Sequence, residues 1–205
     1  MKKFQPQGLV ADFLSAALEY VRHWPWLLFL PLAWITEAGV CGCWRGAECN
    51  RPGKHPLIKG SFNNASRNES TIKRWWKRWP FANIGICTGW KSSLFVLDVD
   101  PRNGGSESLA KLIAKYGELP DTLTCQTGGG GWHFYFRYTS PARFRGKRED
   151  YPGLDFKWDG GYVVAPPSLH YSGGVYSFQT DWRTTTLAAP PEWLLELIRV
   201  DENPK

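Results

Sequence analysis

Leu94-Phe95-Val96-Leu97-Asp98-Val99-Asp100 is a short apolar run closed by two aspartates. Its length and β-branched, aromatic character predict a strand. Side chains alternate along a strand, so Asp98 and Asp100 project from one face. Strand interiors disfavour Asp, and like charges on one face repel. A cation must offset that repulsion, and a divalent metal is a natural candidate, although a strand-terminal turn produces the same Asp-x-Asp without one. Upstream, Asn83 to Thr88 is a second β-rich run, and Gly89-Trp90-Lys91-Ser92 between the two predicts a hairpin. Downstream, Ser106 to Tyr116 is an amphipathic helix with Leu109, Leu112 and Ile113 on one face and Gly117 as its stop.

Further out, Phe13, Leu14, Ala17, Leu18 and Val21 recur at helical spacing over Ala11 to His23. Pro25 stops that helix, and Trp26 to Leu32 predicts a short buried strand. Residues 39–60 are rich in Gly, Pro and Cys and predict a loop or stapled knuckle. A helix capped by Ser70 runs through Ile72, Trp75, Trp76 and Trp79 until Pro80. Four strands follow, around Leu123–Gln126, Trp132–Tyr138, Leu154–Trp158 and Gly161–Ala165, with a short one at Tyr176–Gln179. Pro190-Pro191-Glu192 opens a last helix, Trp193 to Arg199. No regular βαβ rhythm appears, so the fold class is α+β, with a mixed or antiparallel sheet flanked by helices.

The chain has 205 residues, enough for one ordinary domain, and 42% are hydrophobic, enough for a real core. No run of about 18 apolar residues occurs, and the polar start Met1 to Gly8 does not read as a secretory leader. A soluble, cytoplasmic protein with no membrane partner is expected. The net charge of +6 favours anionic partners. Among 12 Trp, 11 Phe and 8 Tyr, several sit between cations, most densely in Lys73-Arg74-Trp75-Trp76-Lys77-Arg78-Trp79. Cations beside flat rings suit single-stranded nucleic acid; an amphipathic helix with a core-facing Trp side explains the same pattern.

Three further clusters carry chemistry. Gln126 to Phe136 contains Gly128, Gly129, Gly130 and Gly131, whose N–H groups can cradle a phosphate. The strand after them puts His133, Tyr135 and Arg137 on one face; a flexible turn with a half-buried histidine is the plainer account. In Gly153-Leu154-Asp155-Phe156-Lys157-Trp158, Asp155 and Lys157 share a face, which a simple surface ion pair also explains. The third cluster is Cys41-x-Cys43-x₅-Cys49-x₅-His55. Such clustering in a cytosolic chain reads as metal binding before disulfides. Four N/S ligands suit a closed, structural tetrahedral zinc site, against three incidental buried thiols. Cys87 and Cys125 fall in predicted strands and read as core residues. Three carboxylates, a histidine, a lysine and a glycine loop fit two-metal phosphoryl transfer, whether hydrolysis or polymerisation.

The sequence resembles the primase-polymerase (prim-pol) branch of the archaeo-eukaryotic primase superfamily, found in replication proteins of plasmids, phages and other mobile elements. The landmarks occur in order from about Trp24 to Trp193. They are Gly53-Lys54-His55-Pro56-Leu57, Trp75-Trp76, Ala82 to Gly89, Leu97-Asp98-Val99-Asp100, Gly130 to Phe136, Leu154-Asp155 and Gly161 to Ser168. The resemblance implies a primase-like catalytic core in which Asp98, Asp100 and Asp155 hold two catalytic Mg²⁺ or Mn²⁺ ions. It implies that His133 contacts the incoming nucleotide's phosphates, with Lys157 near the triphosphate and Ser168 and His170 lining the same pocket. His170 has a purely structural role as its alternative. Gly129 stands where the family commonly has Ser, leaving phosphate contacts there to backbone N–H groups. Similar proteins carry a zinc-binding Cys-Cys-Cys-His stem before the Lys-His-Pro segment.

The implied enzyme is a template-dependent nucleotidyltransferase, acting as DNA primase, DNA polymerase or both. It would use dNTPs or NTPs on a single-stranded DNA template, with Lys73, Arg74, Trp75, Trp76 and Lys77 as candidate template contacts. A prim-pol domain over 1–200, with a zinc stem at about 40–56 and a linker at 201–205, is the expected organisation, and a helicase is a frequent fusion partner. A non-catalytic single-strand-binding module is the alternative, which three carboxylates facing an anion argue against. A relaxase-type nuclease lacks its His-hydrophobic-His pair here.

Overall fold

The computed structural model describes residues 12–139 and 144–200. The expected helix start at Ala11 and the tail 201–205 lie outside them. The first helix, α1 (Phe13–His23), starts where Asp12 accepts the Ser15 N–H at 3.0 Å, and it buries Phe13, Ala17, Tyr20 and Val21. After β1 (Phe29–Leu32) and the Cys-rich loop, α2 (Glu69–Arg78) is capped by Asn68 rather than the expected Ser70. Asn68 has extended backbone and its Oδ1 accepts the N–H groups of Ser70 and Thr71 at 2.9 and 3.2 Å, whereas Ser70 is already helical.

Next come β2 (Asn83–Cys87), β3 (Leu94–Val99), α3 (Gly105–Tyr116), β4 (Thr124–Gln126), β5 (Trp132–Arg137), β6 (Leu154–Lys157), β7 (Tyr162–Ala165), β8 (Ser177–Phe178) and α4 (Glu192–Ile198). They form two sheets, ordered β1-β2-β7 and β6-β3-β5-β4-β8, in which every ladder is antiparallel. The expected hairpin between β2 and β3 does not form. Both strands are buried along nearly their whole length, so each takes the centre of a sheet and needs a partner on either side. β2 is flanked by β1 and β7, and β3 by β5 and β6. The turn between them, with Gly89 at φ 95° and Ser93 at φ 47°, carries the chain from one sheet to the other.

Alternation along the five-stranded sheet separates two cores. Phe95, Leu97, Val99, Phe136, Leu154 and Phe156 pack on one side with Leu112 of α3 and Leu194 and Ile198 of α4. Leu94, Val96, Cys125 and Tyr135 pack on the other, in a core shared with the three-stranded sheet, α1 and α2. Among the described residues no helix is long and apolar enough to cross a membrane.

Asn83 couples distant parts of this core. It is fully buried; its Nδ2 donates to the carbonyls of Gly53 (3.0 Å) and Leu169 (2.8 Å), and its Oδ1 accepts the Leu169 N–H (2.9 Å). Asn83→Ala strands three backbone groups and is expected to lower stability by about 3 kcal/mol in urea unfolding.

Candidate active site

The site arises from the register of β3. Asp98 has His133 of β5 as its Cα partner on one side and Asp155 of β6 on the other. The three side chains stand in a row across adjacent strands, on the face that carries Leu94, Val96 and Tyr135 into the core one step earlier. There the apolar interior gives way to a cavity of about 740 Å³, whose lining includes Asp98, Asp100, His133, Asp155, Lys157 and Lys54. A side recess of about 50 Å³ shares Asp98, Asp100, Lys54, His133 and Tyr176 and adds Arg102, Gly129 and His170.

His133 lies with Nε2 3.5 Å from Asp98 Oδ1, and its Nδ1 is buried with no partner among the described residues. Burial pushes its pKa below the ordinary histidine value, against the pull of Asp98 and aided by the charges of Lys54 and Lys157. Asp100, just past β3, is held from four directions. Oδ1 accepts from Arg102 Nε (3.0 Å) and the Arg102 N–H (3.1 Å), and Oδ2 from Arg102 Nη2 (3.0 Å) and Asn103 Nδ2 (2.8 Å). Those Arg102 bonds hold its carboxyl below the usual range. The tight path here needs glycine: a Cβ on Gly105 would stand 2.7 Å from the carbonyls of both Asp100 and Gly153. Asp155 takes Lys157 Nζ at 2.9 Å and Lys147 Nζ at 3.5 Å, so the expected carboxylate–ammonium pair on β6 is present.

The glycine loop differs from expectation. Gly130 N–H donates to the Thr127 carbonyl (3.0 Å) and Gly131 N–H to Thr127 Oγ1 (2.9 Å), so a tight turn consumes two of the donors expected to cradle phosphate. Gly129 does line the recess. A Cβ there would lie 3.2–3.3 Å from Cε1 and Nε2 of His170, so the imidazole fills the space a serine would use. His170 is buried with Nδ1 2.8 Å from Ser172 Oγ and Nε2 without a partner among the described residues. Burial, then the charges of Lys54 and Arg102, lower its pKa to about 4.

Two expected contacts are corrected. Ser168 is fully buried and its Oγ accepts the Ile84 N–H at 2.9 Å; it braces the three-stranded sheet and does not line the cavity. Trp76 is 2% exposed, with its Nε1 donating to the Ala82 carbonyl, so its ring face is core and closed to a base. Lys73, Arg74, Trp75 and Lys77 share α2 with it, and none lines the cavity; Trp75 packs against the core and Lys73 pairs with Glu69. Their helical spacing supports the amphipathic reading. Lys54 and Tyr176 line both the cavity and its recess, and Arg102 lines the recess, none of them expected there from local pattern. Lys54 sits inside the Gly-Lys-His-Pro landmark next to the zinc-ligand candidate His55, and Arg102 follows the Asp-x-Asp motif by two residues.

Beside the cavity, Cys41, Cys43, Cys49 and His55 bring their ligand atoms within 4.8 Å of one another, and among the described residues no other group of three or more potential ligands does so. Cys49 Sγ lies 2.7 Å from His55 Nε2, and Cys41 Sγ accepts the Gly53 N–H at 3.4 Å. Burial first, then Arg45 and Arg51, lower the His55 pKa, which keeps the imidazole neutral for ligation. Three thiols and one imidazole converging on a point form a donor set that can bind zinc. Cys87 and Cys125 are buried in strands as expected.

The chain matches the Prim-Pol family, described as bifunctional DNA primase/polymerase, N-terminal, over residues 17–193. It belongs to that family and is a domain of the DNA primase/polymerase type. No curated protein matches the chain.

Elemental analysis of purified protein is expected to give one zinc per chain, and Cys49→Ser to lose most of it. The low pKa of His170 also has a consequence. With an imidazole pKa of about 4 in the fold and near 6.5 unfolded, both states are neutral above pH 6.5, and as pH falls towards 4 the unfolded chain takes up the proton first, so the native state loses stability across that window. Urea midpoints of the wild type should fall over that window, and those of His170→Asn should fall less.

Proposed function

We propose that the chain is a template-dependent nucleotidyltransferase that adds nucleotides from dNTPs or NTPs to a 3′-hydroxyl on single-stranded DNA, as primase, polymerase or both. The Asp155–Asp98–His133 row, opening into a cation-bordered cavity, carries the reading. Carboxylates on one face beside a cavity large enough for a nucleotide suit divalent-ion chemistry. Mg²⁺ or Mn²⁺ held by Asp98, Asp100 and Asp155 would lower the pKa of the attacking hydroxyl and neutralise the charge that departs with pyrophosphate.

The chain's own residues have separate tasks. Asp98 and Asp155 face the cavity with about a quarter of each side chain exposed, enough to meet a ligand. Asp100 is tied to Arg102, so its use as a ligand requires that pair to open, which frees a guanidinium beside the phosphates. His133, neutral and buried, offers a hydrogen bond without adding charge. Lys157 reaches phosphate oxygens from its place beside Asp155. The recess with Gly129 and His170 accommodates the far end of the triphosphate.

The setting follows from the resemblance: replication of a plasmid, phage or related element in a prokaryotic cytoplasm, with a domain over about 1–200 that can work beside a helicase. The test is extension of a labelled primer on a single-stranded template with Mg²⁺ or Mn²⁺, and synthesis without primer. Asp98→Asn, which breaks none of the hydrogen bonds that fix the turn at Asp100, is expected to reduce product at least about 10³-fold while leaving the unfolding midpoint near that of the wild type. A wild type that binds template but makes no product with either ion would overturn the reading in favour of a binding module.

A further inference from the structure

We propose that Lys54, delivered by the Cys₃His stem, grips the triphosphate of the incoming nucleotide; this rests on the nucleotidyl-transfer reading above. Lys54 lines both the main cavity and the recess, among Asp98, Asp100, Arg102 and Lys157. The other cations nearby are engaged: Arg102 by Asp100, Lys157 and Lys147 by Asp155, and Arg148 by Asp150. Among the described residues Lys54 has no carboxylate oxygen within 4.0 Å and its ammonium makes no hydrogen bond. Arg51 also lines the cavity but is exposed. A half-buried ammonium without a counter-ion is unfavourable until an anion arrives, and a polyphosphate between the carboxylate row and Lys54 supplies one.

The backbone around Lys54 is held from several sides. Gly53 N–H donates to Cys41 Sγ (3.4 Å), and the Gly53 carbonyl accepts from Asn83 (3.0 Å). The Lys54 carbonyl accepts from Tyr162 Oη (2.9 Å), and the His55 carbonyl from the Ala33 N–H (2.7 Å). The stem and the three-stranded sheet together fix where the ammonium emerges. The Lys54 backbone is tied to Tyr162 of the three-stranded sheet, whereas Asp98 stands on the five-stranded one, so a triphosphate held at both bridges the two sheets. Such pre-organisation raises affinity by removing the ordering cost from the binding step.

The experiment measures equilibrium binding of dATP, dAMP, inorganic tripolyphosphate and a single-stranded oligonucleotide to the full chain in Mg²⁺. It compares wild type, Lys54→Ala, Lys54→Gln and Tyr162→Phe, with zinc content and urea midpoint checked for each. Lys54→Ala and Lys54→Gln are expected to weaken dATP and tripolyphosphate roughly 10–100-fold, the usual effect of losing a charged hydrogen bond. Affinities for dAMP and the oligonucleotide should hold. Tyr162→Phe, which frees only the Lys54 carbonyl, should lose a smaller factor for the same two ligands; no loss there overturns the positioning role. Unchanged dATP affinity in both Lys54 variants, or a loss confined to the oligonucleotide, overturns the proposal while the nucleotidyl-transfer reading stands. A wild type that binds no dATP overturns that reading as well.

Discussion

Asp98 and Asp155 are directly opposed on neighbouring antiparallel strands, and such pairs hold their Cα atoms only about 4.5–5.5 Å apart. Two carboxylates at that spacing repel, and the sheet keeps them there because slipping β3 by one residue would turn Leu94, Val96 and Asp98 to the other face and bury the charge. Burial of apolar side chains on both faces of β3 thus offsets the repulsion. Lys157 and Lys147 lean onto Asp155, Arg102 closes on Asp100, and Lys54 lines the same cavity. A ring of cations around a row of carboxylates follows from one register.

The separation of β2 and β3 into different sheets creates the space for that row. Leu94 and Val96 contribute to the core shared with the three-stranded sheet, and at Asp98 the interior becomes a cavity lined on its other side by Tyr162, Val163 and Val164 of β7. Asn83, at the start of β2, holds the loop before Lys54 and the loop before His170 at once. The scaffold and both walls of the cavity are therefore fastened at a single buried amide.

The Cys₃His cluster belongs to the same system. Its last ligand, His55, is the neighbour of Lys54, and the Gly53 N–H that meets Cys41 Sγ lies on the other side. Order in the stem and order at the cavity wall are coupled through three consecutive residues.

The elements of this fold were largely legible because their signals are local: α1, α3 and the strands around Asp98, His133 and Asp155 appear where periodicity and alternation place them. The Cys/His spacing likewise announced its cluster, and Asp98 with Asp155 and Lys157 announced charged strand faces. Sheet partnership was not legible, because Gly89 to Ser92 reads as a hairpin turn unless the burial of β2 and β3 on both faces is known. Nor could the pattern Lys-Arg-Trp-Trp-Lys separate a stacking platform from a core helix, or show that the glycine loop satisfies its own N–H groups. The strands, the helices, the Cys/His donor set and the family could all be read from local residue patterns. That Trp76 and Ser168 are scaffold, and that Lys54, Arg102 and Tyr176 border the cavity or its recess, depends on which distant backbones meet, and local chemistry carries no record of that.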